Sequence, residues 1–294
     1  MSNSITRLMR AGLGLSLACT MTVAQAGLAQ QPPGAPPRPA GAAPGNGPPR
    51  MPMTIAPDPR VQQRTYRLAD TGEEMKYTVF VSSKVRPGVP APLVVALHGL
   101  GGDSNFIVRE KLVDQAEAGG YIVVGPMGYN VSGWYGSPPI AMGGRPIEPA
   151  NLAELSEKDV MNVLEIARKE FAVDPDRTYL MGHSMGGAGT LFLGQKHAGQ
   201  WAAIAAIAPA AFMMQPTQKD ILAPIKAAGL PAMITQGDAD PVVPATSVRT
   251  WAAAMKDLAM EHEYIEMAGR DHGNIIGDSM PEIFRFFAAH MRGR

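Results

Sequence analysis

The chain has 294 residues, of which 46% are hydrophobic and 18% are charged. That is enough apolar sequence for one large domain with a full core. Lysine plus arginine and aspartate plus glutamate each number 26, so the net charge is zero. This balance gives no electrostatic support for binding to nucleic acid, and it does not favour an acidic polymer as the substrate.

Residues 1–29 have the pattern of a secretory signal peptide. Arg7 and Arg10 precede an apolar stretch that is too short to span a bilayer. The sequence Ala24–Ala26 then offers small residues to a signal peptidase. We therefore expect an exported protein, periplasmic or extracellular, that is not stably inserted in a membrane after the signal is removed. A cytoplasmic protein with an apolar N-terminal helix is the alternative.

The sole cysteine, Cys19, lies inside the predicted signal peptide. A lipid-anchor site there would need an aliphatic residue three positions earlier, where the chain has Ser16, so a lipoprotein is the less favoured interpretation. The mature chain would contain no cysteine, and its stability would come from packing rather than from disulfides.

Residues 30–59 are dominated by proline, glycine and alanine. Proline removes amide donors and favours extended conformations, so we expect a disordered linker rather than a domain. Binding of a partner or adhesion to the cell envelope is the alternative to a plain spacer. The folded domain is predicted to cover residues 60–294.

Within this domain, segments typical of strands alternate with segments typical of helices. The predicted strands are residues 76–82, 91–99, 121–126, 178–183, part of 201–209, 231–237 and 262–268. The predicted helices are residues 105–120, 156–171, 185–197, 246–260 and 280–291. Such alternation implies parallel strands with helices on both faces of the sheet. The predicted fold class is α/β, with one doubly wound, mostly parallel sheet in a single domain without a large cap.

A segment rich in glycine and proline, residues 127–155, is long for a structureless loop in a compact domain. Such loops are usually functional, and we expect this one to form part of a pocket wall. Its Trp134 and Tyr135 are predicted to bind substrate, and packing against the core is the equal alternative. Ser156 is expected to cap the next helix, with Asp159 at the capping-box position.

Residues 182–186, Gly-His-Ser-Met-Gly, match the pattern G-x-S-x-G between a predicted buried strand and a predicted helix. In that context a tight turn lifts the Ser184 hydroxyl above the sheet, and Gly182 and Gly186 are required because bulk there would clash. The pattern alone is weak because chance matches are common, and a plain glycine turn is the alternative. The flanking strand and helix favour a nucleophile.

A nucleophilic serine needs a histidine base and a carboxylate that orients this base, and the acid precedes the histidine in this architecture. Among six histidines, only His272 falls in a loop just after the last predicted strand, from which it could reach Ser184. For the acid we prefer Asp240 over Asp238, with Asp271 a distant third.

Stabilisation of a tetrahedral oxyanion needs two backbone amides aimed at one point. We predict that Met185, directly after the nucleophile, and Leu100, in the glycine-rich turn after strand 91–99, supply them. A simple glycine turn is the alternative for Leu100. No metal or other cofactor is expected, and Asp174 and Asp176 are interpreted as turn residues.

The sequences LHGLGG, VDPDRTYLMGHSMGG, GDADPVVP and DHGN resemble the α/β-hydrolase family, and the resemblance extends over residues 66–291. Its nearest branch holds secreted carboxylesterases similar to feruloyl esterases, polyhydroxyalkanoate depolymerases and prolyl-oligopeptidase-like catalytic domains. The resemblance implies a serine esterase with Ser184, Asp240 and His272 as a catalytic triad, acting on a small or polymeric ester. The chain departs from it by lacking the cysteines of many secreted depolymerases and the propeller of the oligopeptidases. A peptidase, a polyester depolymerase and a non-enzymatic binding protein are the alternatives.

Overall fold

The computed structural model describes residues 56–141 and 146–293, which belong to one compact unit of the chain. The predicted signal peptide and almost all of the predicted linker lie outside the described residues. Within the described part, no helix combines the length and the apolar character that crossing a membrane requires.

The described chain contains eight strands and six α-helices. The strands are β1 (Gln62–Arg67), β2 (Glu74–Val81), β3 (Ala91–Leu97), β4 (Ile122–Pro126), β5 (Val173–His183), β6 (Ala203–Ile207), β7 (Ala232–Gly237) and β8 (His262–Met267). The helices are α1 (Glu110–Gly119), α2 (Leu152–Glu170), α3 (Met185–Lys196), α4 (Gln218–Ala227), α5 (Ala245–Asp257) and α6 (Ile275–Ala289). Short 3-10 turns cover Trp134–Gly136, Ala198–Gln200 and Phe212–Thr217.

All eight strands form one sheet in the order β1-β2-β4-β3-β5-β6-β7-β8. β1 and β2 pair antiparallel, as do β2 and β4, and every other neighbouring pair is parallel. The prediction of a doubly wound, mostly parallel α/β sheet is confirmed. The carboxyl ends of β3 to β8 therefore share one edge of the sheet, called the carboxyl edge below, where ligands bind in open α/β sheets.

The side chains of the central strands alternate between two cores, one on each face of the sheet. Along β3, Leu93, Val95 and Leu97 belong to the core beneath α2, α3, α4 and α5, whereas Val94 and Ala96 belong to the core beneath α1 and α6. Because both faces are covered, β3 is buried throughout, which explains its continuous apolar sequence.

Two elements were not predicted from the sequence, namely β1 and α4. β1 is a polar edge strand whose side chains are exposed or half-buried, so it lacks an apolar pattern. In α4 only Leu222 and Ile225 are buried, and Pro224 lies inside the helix. A short apolar face interrupted by proline gives little periodicity to detect.

Several predicted helix boundaries differ from those in the structure. α2 begins at Leu152 rather than at residue 156, so the predicted cap by Ser156 is wrong. The Ser156 hydroxyl instead accepts a hydrogen bond from the Tyr135 N–H at 2.9 Å. α1 begins at Glu110 rather than at residue 105, and α6 begins at Ile275 rather than at residue 280.

Candidate active site

Ser184 occupies the turn between β5 and α3 with φ 57° and ψ −112°. This conformation is strained for a residue with a side chain, so surrounding bonds must hold it. The Ser184 N–H donates to the Ile207 carbonyl at 2.9 Å, and its carbonyl accepts from Ala188 and Ala210 at 3.0 and 2.9 Å. The serine itself is 7% exposed, so its hydroxyl lies just at the surface of the carboxyl edge.

The two glycines of the motif leave no room for a side chain. A Cβ at Gly182 would lie 2.3 Å from the Gly186 carbonyl oxygen, and a Cβ at Gly186 would lie 2.3 Å from the Leu97 carbonyl oxygen. Both atoms belong to the backbone and cannot move aside cheaply. The structure therefore agrees with the prediction that packing requires glycine at these positions.

The structure brings Ser184, His272 and Asp240 into one chain of hydrogen bonds. His272 Nε2 lies 2.9 Å from Ser184 Oγ, and His272 Nδ1 lies 2.7 Å from Asp240 Oδ2. Because a carboxylate only accepts, Nδ1 carries the proton of a neutral imidazole and Nε2 accepts from the serine hydroxyl. In this arrangement the imidazole can take the proton of Ser184.

The side chain of Asp240 is fully buried, and its orientation is fixed by further donors. Its Oδ1 atom accepts hydrogen bonds from the N–H groups of Val242 and Val243 at 2.8 and 2.9 Å. Gln236 Nε2 lies 3.4 Å from Oδ2 and also donates to the Val243 carbonyl at 2.9 Å. These contacts leave Oδ2 directed at His272.

The two other candidate acids serve the turns around them. Asp238 Oδ1 accepts the Gly269 N–H at 2.6 Å. Asp271 Oδ1 accepts the N–H groups of Gly273 and Asn274 at 2.9 and 2.8 Å. The structure thus brings Asp240 to the histidine and places Asp238 and Asp271 elsewhere.

His183, within the serine motif, contacts the backbone of His272. Its Nε2 atom lies 2.8 Å from the His272 carbonyl oxygen, and the two rings are 4.6 Å apart. Burial, and to a lesser extent the neighbouring His272, lowers the pKa of His183 to about 3. The ring also stacks on Phe106. His183 is therefore neutral at pH 7, donates to this carbonyl and fixes the loop that carries His272.

The two predicted oxyanion donors, Leu100 and Met185, lie at the carboxyl edge in the turns after β3 and β5. Neither of their N–H groups donates a hydrogen bond to any described residue. The neighbouring Gly101 has φ 81°, and its N–H donates to the Val131 carbonyl at 2.8 Å. This bond ties the glycine-rich turn to the loop after β4 while the Leu100 amide stays available.

His98 supports the same turn from below. Its ring is buried between two carbonyl oxygens, with Nδ1 2.8 Å from that of Gly99 and Nε2 2.9 Å from that of Met127. Burial lowers the pKa of His98. The side chain therefore connects the turn after β3 with the loop after β4.

Trp134 and Tyr135 are predicted to bind substrate, with packing against the core as the equal alternative, and the structure supports the alternative. The two residues are only 3% and 0% exposed and belong to the core beneath α2, α3, α4 and α5. The Tyr135 ring fills the space beside Gly128 and Gly189, and its hydroxyl donates to the His98 carbonyl at 3.2 Å. The loop packs against the helices because burying two aromatic side chains is more favourable than exposing them to water. Both residues therefore support the site from the core.

Asp159 and Tyr66 also support the site, and the sequence did not identify either. Asp159 is buried on α2, where its carboxylate accepts from the Gly128 N–H and the Tyr66 hydroxyl, each at 2.6 Å. Burial raises the pKa of Asp159, and these donors act in the opposite direction. The signal for this role in the sequence is a carboxylate beside Val160 on the apolar face of α2. The predicted capping-box position of Asp159 is wrong, because α2 begins at Leu152 and Asp159 lies inside the helix.

Residues 56–141 and 146–293 contain no group of three His, Cys, Asp or Glu side chains that could hold a metal ion. Asp174 follows the start of β5, where its carboxylate accepts from the N–H of Asp176 at 2.9 Å and from Arg177 Nε at 2.6 Å. The pairing register of β5 with β3 shifts across these residues, between Val173 and Thr178.

Comparison with known proteins identifies a family. A family model described as "Putative esterase" matches residues 69–264. "Putative esterase NocK" of Nocardia uniformis subsp. tsuyamanensis is 28% identical over 183 residues, which cover 60% of this chain and 49% of that protein. The S-formylglutathione hydrolase of Bos taurus is 29% identical over 147 residues, covering 46% of this chain and 52% of that protein. The chain thus matches about half the length of these curated relatives.

Among solved structures, a ferulic acid esterase of Anaeromyces mucronatus, AmCE1/Fae1A, superposes with a TM-score of 0.60 at 20% identity. The match covers 82% of this chain and 96% of that one. At this identity the likeness concerns the fold, and it agrees with the single α/β-hydrolase domain described above.

Proposed function

This chain belongs to the esterase family, and we propose that it hydrolyses carboxylic esters through an acyl-enzyme on Ser184. One observation carries the proposal, namely the hydrogen-bonded chain from Asp240 through His272 to Ser184. Family membership supports an ester-cleaving enzyme, and the bond geometry supports these three residues as its catalytic triad.

In the first step, Ser184 Oγ attacks the ester carbonyl carbon while its proton passes to His272 Nε2. The imidazolium then gives this proton to the departing alcohol, which leaves the acyl group on the serine. In the second step, His272 takes a proton from water while the resulting hydroxide attacks the acyl carbonyl carbon. The imidazolium then returns this proton to Ser184 Oγ as the bond between the acyl group and the serine breaks, and the acid leaves. Asp240 holds the protonated Nδ1 throughout, which keeps Nε2 facing the serine and stabilises the transient imidazolium.

The amides of Leu100 and Met185 are the proposed oxyanion donors. Because neither N–H group donates to a described residue, both are free to donate hydrogen bonds to the negative charge that develops on the carbonyl oxygen. Met185 is also the first residue of α3, where the positive end of the helix dipole adds to this stabilisation.

We further propose that the enzyme is exported and acts on small or polymeric esters. The basic and apolar pattern of residues 1–29 supports export. S-formylglutathione, the compound for which the bovine relative is named, is a second candidate substrate. The same arrangement of serine, histidine and oxyanion donors would cleave this thioester.

The test is hydrolysis of p-nitrophenyl esters and of S-formylglutathione by the mature chain and by Ser184→Ala. We expect ester turnover by the wild type and a loss of roughly four orders of magnitude or more in kcat in the variant. Ser247→Ala, at a partly buried serine on α5, controls for a general effect of removing a hydroxyl. Equal activity of the wild type and Ser184→Ala would refute the proposal.

A further inference from the structure

The segment that follows β6 runs directly beside the serine. Residues 208–217, called the β6 loop here, leave the sheet between β5, which carries Ser184, and β7, which precedes Asp240. Ala208 starts the loop with φ 42° and donates its N–H to the Thr235 carbonyl at 2.9 Å. Ala210 donates its N–H to the Ser184 carbonyl at 2.9 Å. The loop is thus bonded to the residue that carries the nucleophile.

Exposed apolar side chains concentrate in this region. Four large hydrophobic residues of the described chain are exposed, namely Val89 (53%), Phe212 (38%), Met213 (58%) and Val242 (55%). Phe212 and Met213 lie on the β6 loop, and Val242 follows Asp240 by two positions. Val89 precedes β3, at the opposite edge of the sheet. Three of the four therefore belong to segments whose backbone is bonded to the site, since Ala210 donates to the Ser184 carbonyl and the Val242 N–H donates to Asp240 Oδ1 at 2.8 Å. Exposed apolar side chains lose their contact with water when an apolar ligand covers them.

The backbone that presents these side chains is fixed. Met214 is buried, and the Gln215 side chain donates to the Thr250 hydroxyl and to the Ser247 carbonyl. Gln215 Oε1 also accepts from Trp251 Nε1 at 3.2 Å. Because these hydrogen bonds join the β6 loop to α5, the turn that exposes Phe212 and Met213 has a defined conformation.

The two segments that carry these side chains contain no charged residue. No Asp, Glu, Lys or Arg occurs from residue 201 to 218 or from residue 241 to 248. The carboxylate of Asp240 is buried, and one oxygen of the exposed Asp238 accepts the Gly269 N–H. A ligand group bound along these two segments therefore meets no cation from them, which favours an uncharged group.

The two faces of the sheet support different parts of the site. His272 is held by His183, whose ring stacks on Phe106 in the core beneath α1 and α6. Ala211 and Met214 of the β6 loop instead belong to the core beneath α2, α3, α4 and α5. The leaving alcohol must lie beside His272 Nε2 to receive its proton. The acyl group consequently lies on the side of Ser184 where the β6 loop is.

We propose that Phe212, Met213 and Val242 form an acyl-binding site for an uncharged, apolar acyl group. The preferred substrates are then esters of aliphatic or aromatic acids longer than acetate. This inference rests on the proposed ester hydrolysis at Ser184 and adds the substrate class to it.

The first part of the test uses the wild type and three substrates with one leaving group. These are p-nitrophenyl acetate, p-nitrophenyl hexanoate and the p-nitrophenyl monoester of adipic acid, which matches the hexanoate in length but ends in a carboxylate. Each methylene that leaves water contributes up to about fourfold. We expect kcat/KM for hexanoate to be about tenfold or more above the value for acetate. It should also be about thirtyfold or more above the value for the adipate ester. Equal values for hexanoate and the adipate ester would overturn the inference.

The second part uses Met213→Ser and Val242→Ser, with Val89→Ser as the control of matched exposure at the opposite edge. We expect each of the first two to lower the hexanoate-to-acetate ratio of kcat/KM about threefold to tenfold, and the control to keep the wild-type ratio. An unchanged ratio in Met213→Ser and Val242→Ser would overturn the inference. A change in the oligomeric state of these variants in size-exclusion chromatography, without a change in the ratio, would also overturn it. If the wild type cleaves no ester, or cleaves it without Ser184, the proposed function itself fails.

Discussion

The imidazole of His183 donates a hydrogen bond to the main-chain carbonyl oxygen of His272, with 2.8 Å between the nitrogen and the oxygen. A carbonyl oxygen only accepts, so Nε2 of His183 must carry a proton, and the low pKa leaves the ring neutral. The residue before Ser184 thus holds the loop that carries His272. Residues 182–186 of this chain therefore fix both the turn of Ser184 and the position of His272.

The first prediction concerns His183→Gln and the pH dependence of stability. The pKa of His183 falls from 6.5 to about 3 on folding, so only the unfolded chain binds this proton between these pH values. The wild type must then lose stability as the pH falls through this window, by about 1.4 kcal/mol per pH unit. Glutamine can donate the same bond but does not titrate. From pH 7 to pH 4.5, the free energy of unfolding should fall about 2 to 3 kcal/mol more in the wild type than in His183→Gln.

Urea unfolding at several pH values measures this difference, and parallel curves for the two proteins would contradict it. Measurements of enzymatic activity distinguish a role of His183 in positioning His272 from a role in stability alone. If His183 positions His272, His183→Ala should lower kcat at pH 7.5 about tenfold or more with little change in KM, and His183→Gln should recover most of the loss.

A second prediction concerns the glycines that flank Ser184. Gly182→Ala and Gly186→Ala would each place a Cβ 2.3 Å from a backbone oxygen, so the turn must open. We expect each to lower the free energy of unfolding by about 2 kcal/mol or more and kcat by at least about a hundredfold. Gly199→Ala is the control, because a Cβ there has nothing within 4 Å. Wild-type kcat in Gly182→Ala would show that the strained turn is unnecessary for catalysis.

A third prediction separates the two neighbouring aspartates. Asp240→Asn should lower kcat by about three orders of magnitude, because an amide at this position can face Nδ1 with a donor and favour the wrong tautomer of His272. Asp238→Asn keeps an oxygen that can accept the Gly269 N–H, so we expect a change of less than about threefold. Both rates follow from steady-state hydrolysis of one p-nitrophenyl ester. A larger loss in Asp238→Asn than in Asp240→Asn would reverse the assignment of the acid.

The buried parallel strands and the serine motif were predictable because each carries a strong local signal. β3 is a continuous apolar run, and Ser184 lies between a buried strand and a helix with glycine on both sides. His272 and Asp240 followed from their order along the chain and their positions after the last two strands. Parallel strands bring those positions to one edge, so chain order was enough to bring the residues together.

Features that depend on tertiary packing were not predictable from local patterns. Trp134 and Tyr135 were open to two interpretations because an aromatic residue in a glycine-rich loop has no local signal for burial. The role of Asp159 depends on Gly128 and Tyr66, which are distant in sequence. The exposure of Phe212 and its neighbour likewise follows from the bonds between the β6 loop and α5 rather than from the sequence of the loop.

Covalent labelling tests most directly whether Ser184 is the nucleophile that His272 activates. The protein is treated with a fluorophosphonate, digested and analysed by peptide mass spectrometry. We expect one phosphonate on the peptide containing Ser184, a rate of labelling at least about a hundredfold lower in His272→Ala, and no label in Ser184→Ala. A label on another serine, or equal labelling of Ser184→Ala, would contradict this role of Ser184.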